Sequence, residues 1–266
     1  MSHALDGSAT SVTLSTGRTV PLPLRAEAHV AGATLLADRR RLRTATSDGV
    51  VPVPVAPRRG AVVLLGVAYE SVGDLDPYRE FGAVVPVLAR DRAAPARRVR
   101  GHVHALPVST TEGCTLGVEV WGFPKTVADV AIRREGDRTT VAVTDPAART
   151  DQPPASDAAP GPGDGEGARP AGDRPGVELS VRLGGRRRAL SGTLDASTTL
   201  RDRLVRVPTR LDAAVALGLG GGGAVRLALG AGPTAEALRA LGLRGVVLGR
   251  LRGRVRASFG APVAVE

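Results

Sequence analysis

Three stretches between residues 61 and 108 limit what this chain can fold into. AVVLLGVAYESV (61–72) and FGAVVPVLA (81–89) are apolar runs rich in Val, and RVRGHVHALPV (98–108) alternates apolar with polar residues. β-Branched side chains fit a pleated extended backbone and lose rotamer freedom in a helix. Gly, Pro and Asp, the residues of turns, punctuate these runs. Aromatic residues are only 2% of the chain, so Val, Leu and Ala must fill the core. Further strand patterns fall at 19–24, 28–36, 50–56, 128–135 and 138–145, and near 186–194, 203–209, 224–229, 244–257 and 259–265. The expectation is a mainly β (α+β) protein, a closed antiparallel barrel or sandwich with a few short peripheral helices.

Three segments break the strand pattern. ADRRRLRTAT (37–46) reads as a short helix with Asp38 near its start. STTEGCTLGVEVWG (109–122) opens on Ser109 and Glu112, a capping-box spacing. Leu116 and Val120 share one helical face there, and Gly122 and Pro124 end the helix. That ending puts Lys125 on a tight turn. A third helix is expected at 234–241. Residues 145–176 are Pro, Gly, Ala and Asp with almost no large apolar side chain, so they cannot bury enough surface to order themselves. With strand patterns on both sides, they read as a disordered insertion in a hairpin. The chain 1–266 is then a single domain, with a disordered N-terminus over 1–10.

Net charge is +10. Such a charge suits nucleic acid or an acidic membrane surface. However, the arginines are scattered, and the few aromatics do not interleave with them as a base-stacking platform requires. The reading is therefore a solvated basic surface, with no nucleic-acid partner. No apolar stretch reaches the length of a membrane span. The single cysteine, Cys114, excludes an internal disulfide and fits a reducing compartment. The localisation read from this is cytoplasmic.

The chain has 36 Lys and Arg residues, and only Lys125 is a lysine. Only lysine carries an amine that can lose its proton near neutral pH and attack a carbonyl to form an imine. Five of the six aromatics cluster in two stretches: Tyr69, Tyr78 and Phe81, and then Trp121 and Phe123 beside the lysine. An apolar pocket around Lys125 would disfavour its ammonium form. The same aromatics serve equally as ordinary core.

PYREFGAVVPV (77–87) followed by EVWGFPK (119–125) resembles the acetoacetate decarboxylase family. The matching residues are Glu80, Gly82, Pro86 and Val87, then Glu119, Phe123, Pro124 and Lys125. The likeness extends over roughly 28–144 and 177–265, where the later part carries a matching Gly-Pro-Thr. The resemblance implies the closed antiparallel barrel, with Lys125 as a Schiff-base amine and Glu80 handling protons or orienting substrate. It implies a pocket drawn from Tyr78, Phe81, Glu119, Trp121, Phe123, Pro124 and Thr126. It also implies a β-keto acid or related carbonyl substrate, a homo-oligomer, and no cofactor or metal. Glu119 matches by position, and a helix-end salt bridge accounts for it equally well.

Three positions depart from the family pattern. Thr126 stands where its decarboxylases carry a second lysine, and Val118 and Leu36 stand where members carry arginine. Imine formation survives these changes, whereas recognition of a substrate carboxylate need not. The resemblance thus implies a decarboxylase-like lyase, an imine-based aldolase or dehydratase, or a non-catalytic ligand-binding barrel. Two other signals are weaker. GLGGGG (218–223) lacks the Lys-Ser/Thr ending of a phosphate loop and reads as a flexible turn. His102 and His104 have metal-ligand spacing but no evident third ligand.

Overall fold

The computed structural model describes residues 5–89, 99–146 and 175–265. In chain order the elements begin with β1 (Ser11–Thr13), β2 (Thr19–Pro21), β3 (Leu24–Asp38), α1 (Arg39–Thr44) and β4 (Val50–Pro52). β5 (Arg59–Val72), β6 (Arg79–Ala89), β7 (Val99–Val108), α2 (Thr111–Trp121) and β8 (Lys125–Val127) follow. Next are β9 (Asp129–Glu135), β10 (Arg138–Thr144), β11 (Val177–Arg182), β12 (Arg188–Thr193) and β13 (Ala196–Leu200). The chain ends with β14 (Arg203–Val207), β15 (Thr209–Leu219), β16 (Val225–Leu229), α3 (Pro233–Ala240), β17 (Leu243–Phe259) and β18 (Val263–Ala264).

The large sheet runs in the order β12-β15-β17-β3-β5-β6-β7-β13-β14-β18, with β4 also on β6 and β8 also on β7. A second sheet runs β16-β11-β10-β9, and β1 and β2 form a separate hairpin. The mainly β expectation holds, but the closed barrel does not. Closure needs the first and last strands of a sheet to bond to each other. Here β12 pairs only with β15, and its six residues are all exposed. At the other end β18 is two residues long and pairs with β14. Both sheets are open.

Alternation along β6 separates two cores. Phe81, Ala83, Val85 and Val87 face the four-stranded sheet and pack with its Val130, Val141, Val177 and Leu179. On the opposite face, Tyr78 and Val108 pack with Leu116, Val120 and Trp121 of α2 and with the β1–β2 hairpin. The candidate site lies in this second core.

Helix ends were read nearly correctly. Asp38 caps α1 by accepting from the backbone N–H of Arg40 and Arg41. α2 is capped by Thr110, one residue later than the capping-box spacing indicates, because the Ser109 hydroxyl is taken up by the Arg79 N–H at 2.9 Å. Gly122 ends α2 in the left-handed conformation, φ 70°. Four strands lie outside the segments expected from the sequence: the three-residue β1 and β8, and the longer β13 and β15. The longer two have weak patterns: Ser and Thr dominate β13, and Ala, Gly and an exposed Leu217 dilute β15. β10 and β11 pair antiparallel. Of the segment read as an insertion, 147–174 lies outside the described residues, as do residues 1–4.

Candidate active site

Strand register brings four functional side chains to one face of the large sheet. Glu80 of β6 pairs with Val67 of β5 and Val108 of β7. Tyr69 is two residues beyond Val67, and Tyr78 is two residues before Glu80, so alternation turns all three the same way. Lys125 opens β8 and pairs in parallel with Leu106, two residues from Val108. It therefore joins the same face. The tight turn expected for Lys125 is instead the start of a strand, because β7 offers it a free edge to pair with.

The Lys125 ammonium Nζ donates to Glu80 Oε1, and both side chains are only 4% exposed. Tyr69 donates its hydroxyl to the other carboxylate oxygen, Oε2, at 3.3 Å. The Tyr78 ring lies with its centroid 5.4 Å from Nζ, within cation–π range. The two tyrosine rings pack at 4.7 Å between centroids. Burial, and then the Glu80 carboxylate, push both phenols well above the usual range, so both stay protonated and serve as donors.

α2 covers this group and leaves room for it through two glycines one turn apart. A Cβ on Gly117 would overlap Lys125 Cε and Cδ, and one on Gly113 would sit 2.9 Å from the Tyr78 ring. The sequence reading missed Gly113, Gly117 and the donor role of Tyr69. The i, i+4 glycine pair in a helix was the available signal, since glycine is costly there without a packing reason. Cys114, between them, points its Sγ at the Lys125 carbonyl at 3.5 Å, and burial raises its thiol pKa.

Other residues named from the sequence lie elsewhere. Phe81 is buried on the opposite face of β6, because neighbours on a strand alternate. Thr126 is exposed, on the face opposite Lys125. Pro124 is exposed, in the three-residue connection after α2. Glu119 accepts from the Ser15 N–H at 2.8 Å and the Ser15 hydroxyl at 2.5 Å, and these bonds hold its carboxyl below the usual range. It ties α2 to the start of the chain. Trp121 donates its indole N–H to the Gly260 carbonyl at 2.9 Å and packs on Phe123 and Phe259. These aromatics anchor the end of α2 beside the lysine. Val118 is exposed on the outer side of that helix.

His102 and His104 do not form a metal pair. Ala105 opposes Ala83 while Val103 opposes Val84, so β7 carries an extra residue at this point. His102 is buried next to Ser197 in register, whereas His104 lies 3.3 Å from both the Ala45 and the Ala237 carbonyl oxygens. No group of three or more His, Cys, Asp or Glu suited to a metal occurs among the described residues. No helix among them is long and apolar enough to cross a membrane.

The site can therefore present one amine to a carbonyl compound, with a carboxylate in contact and two neutral phenols nearby. Residues 21–150 match the family model described as acetoacetate decarboxylase (ADC). No curated protein sequence matches the chain. Among solved structures, the "Enduracididine biosynthesis enzyme MppR complexed with pyruvate" aligns with TM-score 0.64 at 14% identity, covering 95% of each chain. The same enzyme "complexed with the condensation product of pyruvate and imidazole 4-carboxaldehyde" aligns at 0.65 and 16%, covering 98% of each. Acetoacetate decarboxylase from Legionella pneumophila subsp. pneumophila str. Philadelphia 1 aligns at 0.58 and 16%, covering 92% of this chain and 88% of that one. Residues 21–150, which carry both Glu80 and Lys125, are thus similar to the acetoacetate decarboxylase (ADC) family, and the chain shares its fold with these solved structures.

Proposed function

We propose that this protein is a carbon–carbon lyase that forms a Schiff base between Lys125 and a β-keto acid or related carbonyl substrate. The observation that supports this most directly is the buried contact between the chain's one lysine and Glu80. The neutral amine attacks the carbonyl carbon, the carbinolamine loses water, and a protonated imine remains. In a β-keto acid the bond to the carboxylate then breaks and its electron pair moves into the imine. CO2 leaves, and an enamine forms. Protonation of the enamine carbon and hydrolysis return the amine and release the ketone. Glu80 is placed to accept the amine proton before attack and to return one to the carbinolamine oxygen. Tyr69 holds Glu80 in orientation, and Tyr78 stacks over the cationic nitrogen.

A second reading uses the same imine for condensation or its reverse. It is favoured by the similar fold of the enzyme complexed with the condensation product of pyruvate and imidazole 4-carboxaldehyde. In that reading the carbon next to the imine loses a proton to give the enamine, and this carbon attacks an aldehyde carbonyl. Water is lost, and hydrolysis of the imine frees the product and returns the amine. Residue 126 does not separate the two, because Thr126 points away from the amine. The substrate is a small carbonyl compound in both, and a homo-oligomer of the single domain is the assembly we favour.

Borohydride reduction in the presence of acetoacetate or pyruvate tests the shared step. The expected result is a covalent adduct mapped by mass to Lys125, absent in Lys125→Arg. An unmodified Lys125 under both substrates would leave only the non-catalytic ligand-binding reading. CO2 release from acetoacetate then selects decarboxylation over condensation.

A further inference from the structure

On the other side of the large sheet from Lys125, an arginine cluster lies beside the core that holds Ala33 and Ala216. Alternation puts Arg134, exposed near the end of β9, on the same side of the four-stranded sheet as Val130 and Ile132. From the large sheet, Arg250 and Arg252 of β17 project from the face that meets it. Arg250 Nη1 donates to the Arg182 carbonyl at 2.8 Å, and Arg252 Nη1 reaches the Leu183 carbonyl at 3.4 Å. Both anchors are at the end of β11, just before Arg186 and Arg187. The turn of β9 and β10 is tied in as well, since Leu183 N–H donates to the Asp137 carbonyl at 2.9 Å.

Several observations set this cluster apart from the other arginines of β17. None of Arg134, Arg187, Arg250 and Arg252 forms a carboxylate ion pair among the described residues, whereas Arg254 and Arg256 on the same strand are paired with Glu27. Burial lowers the pKa of the Arg252 guanidinium, repulsion from Arg134 and Arg187 lowers it further, and Asp137 acts in the opposite direction. The Nε atoms of Arg250 and Arg252 are enclosed without a partner. Thr139 opposes Arg134 in register on the same side of that sheet, is only 2% exposed, and leaves its hydroxyl unpartnered. The GLGGGG segment also finds a role here. A Cβ on Gly218 or Gly221 would come within 2.9 or 3.0 Å of the Arg250 guanidinium. These glycines leave Arg250 room to extend.

We propose that Arg134, Arg187, Arg250 and Arg252, with Thr139 behind them, form a binding site for a phosphate-type oxyanion, separate from the Lys125 site. Guanidinium groups match the oxygens of such an anion through paired N–H donors, and a neutral hydroxyl can add one more. Converging like charges that only Asp137 offsets are a local conflict, and such conflicts concentrate at functional places.

The test is thermal unfolding with pyrophosphate, inorganic phosphate and glycerol phosphate as separate additions, against sodium chloride at equal ionic strength. In wild type the phosphate compounds should raise Tm by about 3 °C at ten times their dissociation constant, and chloride should not. Stronger action of glycerol phosphate would identify a phosphate ester as the ligand, and stronger action of pyrophosphate or phosphate a free anion. Arg252→Gln should lose the rise and, with repulsion relieved, should melt above wild type without anion. Arg187→Gln, in an exposed loop, gives the same test if Arg252→Gln fails to fold. Arg256→Gln should keep the full rise. An equal rise in Arg187→Gln and wild type, or one matched by chloride, would overturn the proposal.

Discussion

Gly117 and Lys125 share one volume: the space a Cβ on Gly117 would fill is occupied by the lysine's Cδ and Cε, with Nζ 3.1 Å away. The bare turn of α2 thus sets where the amine sits. Gly117→Ala should displace the amine from Glu80. A misplacement of about an ångström costs up to roughly 100-fold in rate. We expect a 10- to 100-fold slower borohydride-trapped adduct, from this same cause. Gly192→Ala, where the added methyl meets nothing within 4 Å, should leave trapping unchanged. Equal trapping in the two variants would remove Gly117 from the site.

The Glu80–Lys125 pair makes a separate prediction about stability. Removing one member of a buried ion pair strands the other charge at a cost of about 3–5 kcal/mol, while replacing both with apolar groups is often neutral. Lys125→Met should therefore destabilise strongly in urea unfolding. Lys125→Met with Glu80→Leu should regain most of that loss and still form no adduct. A double variant as unstable as the sum of the two single ones would show that the pair is not energetically coupled.

Lys125 was legible in the sequence as the one amine among 36 basic side chains, and Glu80 through the resemblance of PYREFGAVVPV and EVWGFPK to the family pattern. The strands bearing Glu80 and Tyr69 were legible from their Val-rich pattern. What failed was the inference from nearness in sequence to nearness in space. Phe81 adjoins Glu80 and Thr126 adjoins Lys125, yet alternation sends each to the opposite face. Glu119 carries a charge suited to the site, but its partner, Ser15, is 104 residues away. The open sheets were illegible for a related reason. Closure depends on whether β12 and β18 meet, and no local pattern encodes a pairing that does not form. Gly117 was hidden because it contributes space.

Asp145 supplies a test of how the chain beyond the described break is anchored. Its buried carboxylate accepts from the Thr234 N–H at 3.1 Å and from the Thr234 hydroxyl at 2.7 Å. It thereby caps α3 from 89 residues away, while Gly232, the preceding residue, has no side chain to do so. Asp145→Ala should cost about 1–2 kcal/mol, the usual loss for a removed cap. Asp145→Asn, which keeps one acceptor oxygen, should recover part of it. Denaturation midpoints of the three proteins decide this, and an unchanged midpoint in Asp145→Ala would show that the cap contributes nothing.

His102 gives the acid side of the stability profile. Burial, with a smaller contribution from His104, pulls its pKa from 6.5 down to about 4. Ser197 lies next to it in register, and Arg100 lies two residues back on the same strand. Because the folded-state value is the lower one, the unfolded chain takes up the proton first. Above pH 6.5 neither state holds that proton, and stability is at its full value. Between 6.5 and about 4 the unfolded state gains a proton that the folded state refuses, so stability falls as pH falls. The whole window is worth about 3 kcal/mol, at about 1.4 kcal/mol per unit. Urea unfolding at pH 7.5 and 4.5 should show wild type losing about that much more than His102→Gln, which has no titrating group. Carboxylates contribute equally to both proteins and drop out of the difference. If the two proteins lose stability in parallel, His102 is not held neutral by the fold.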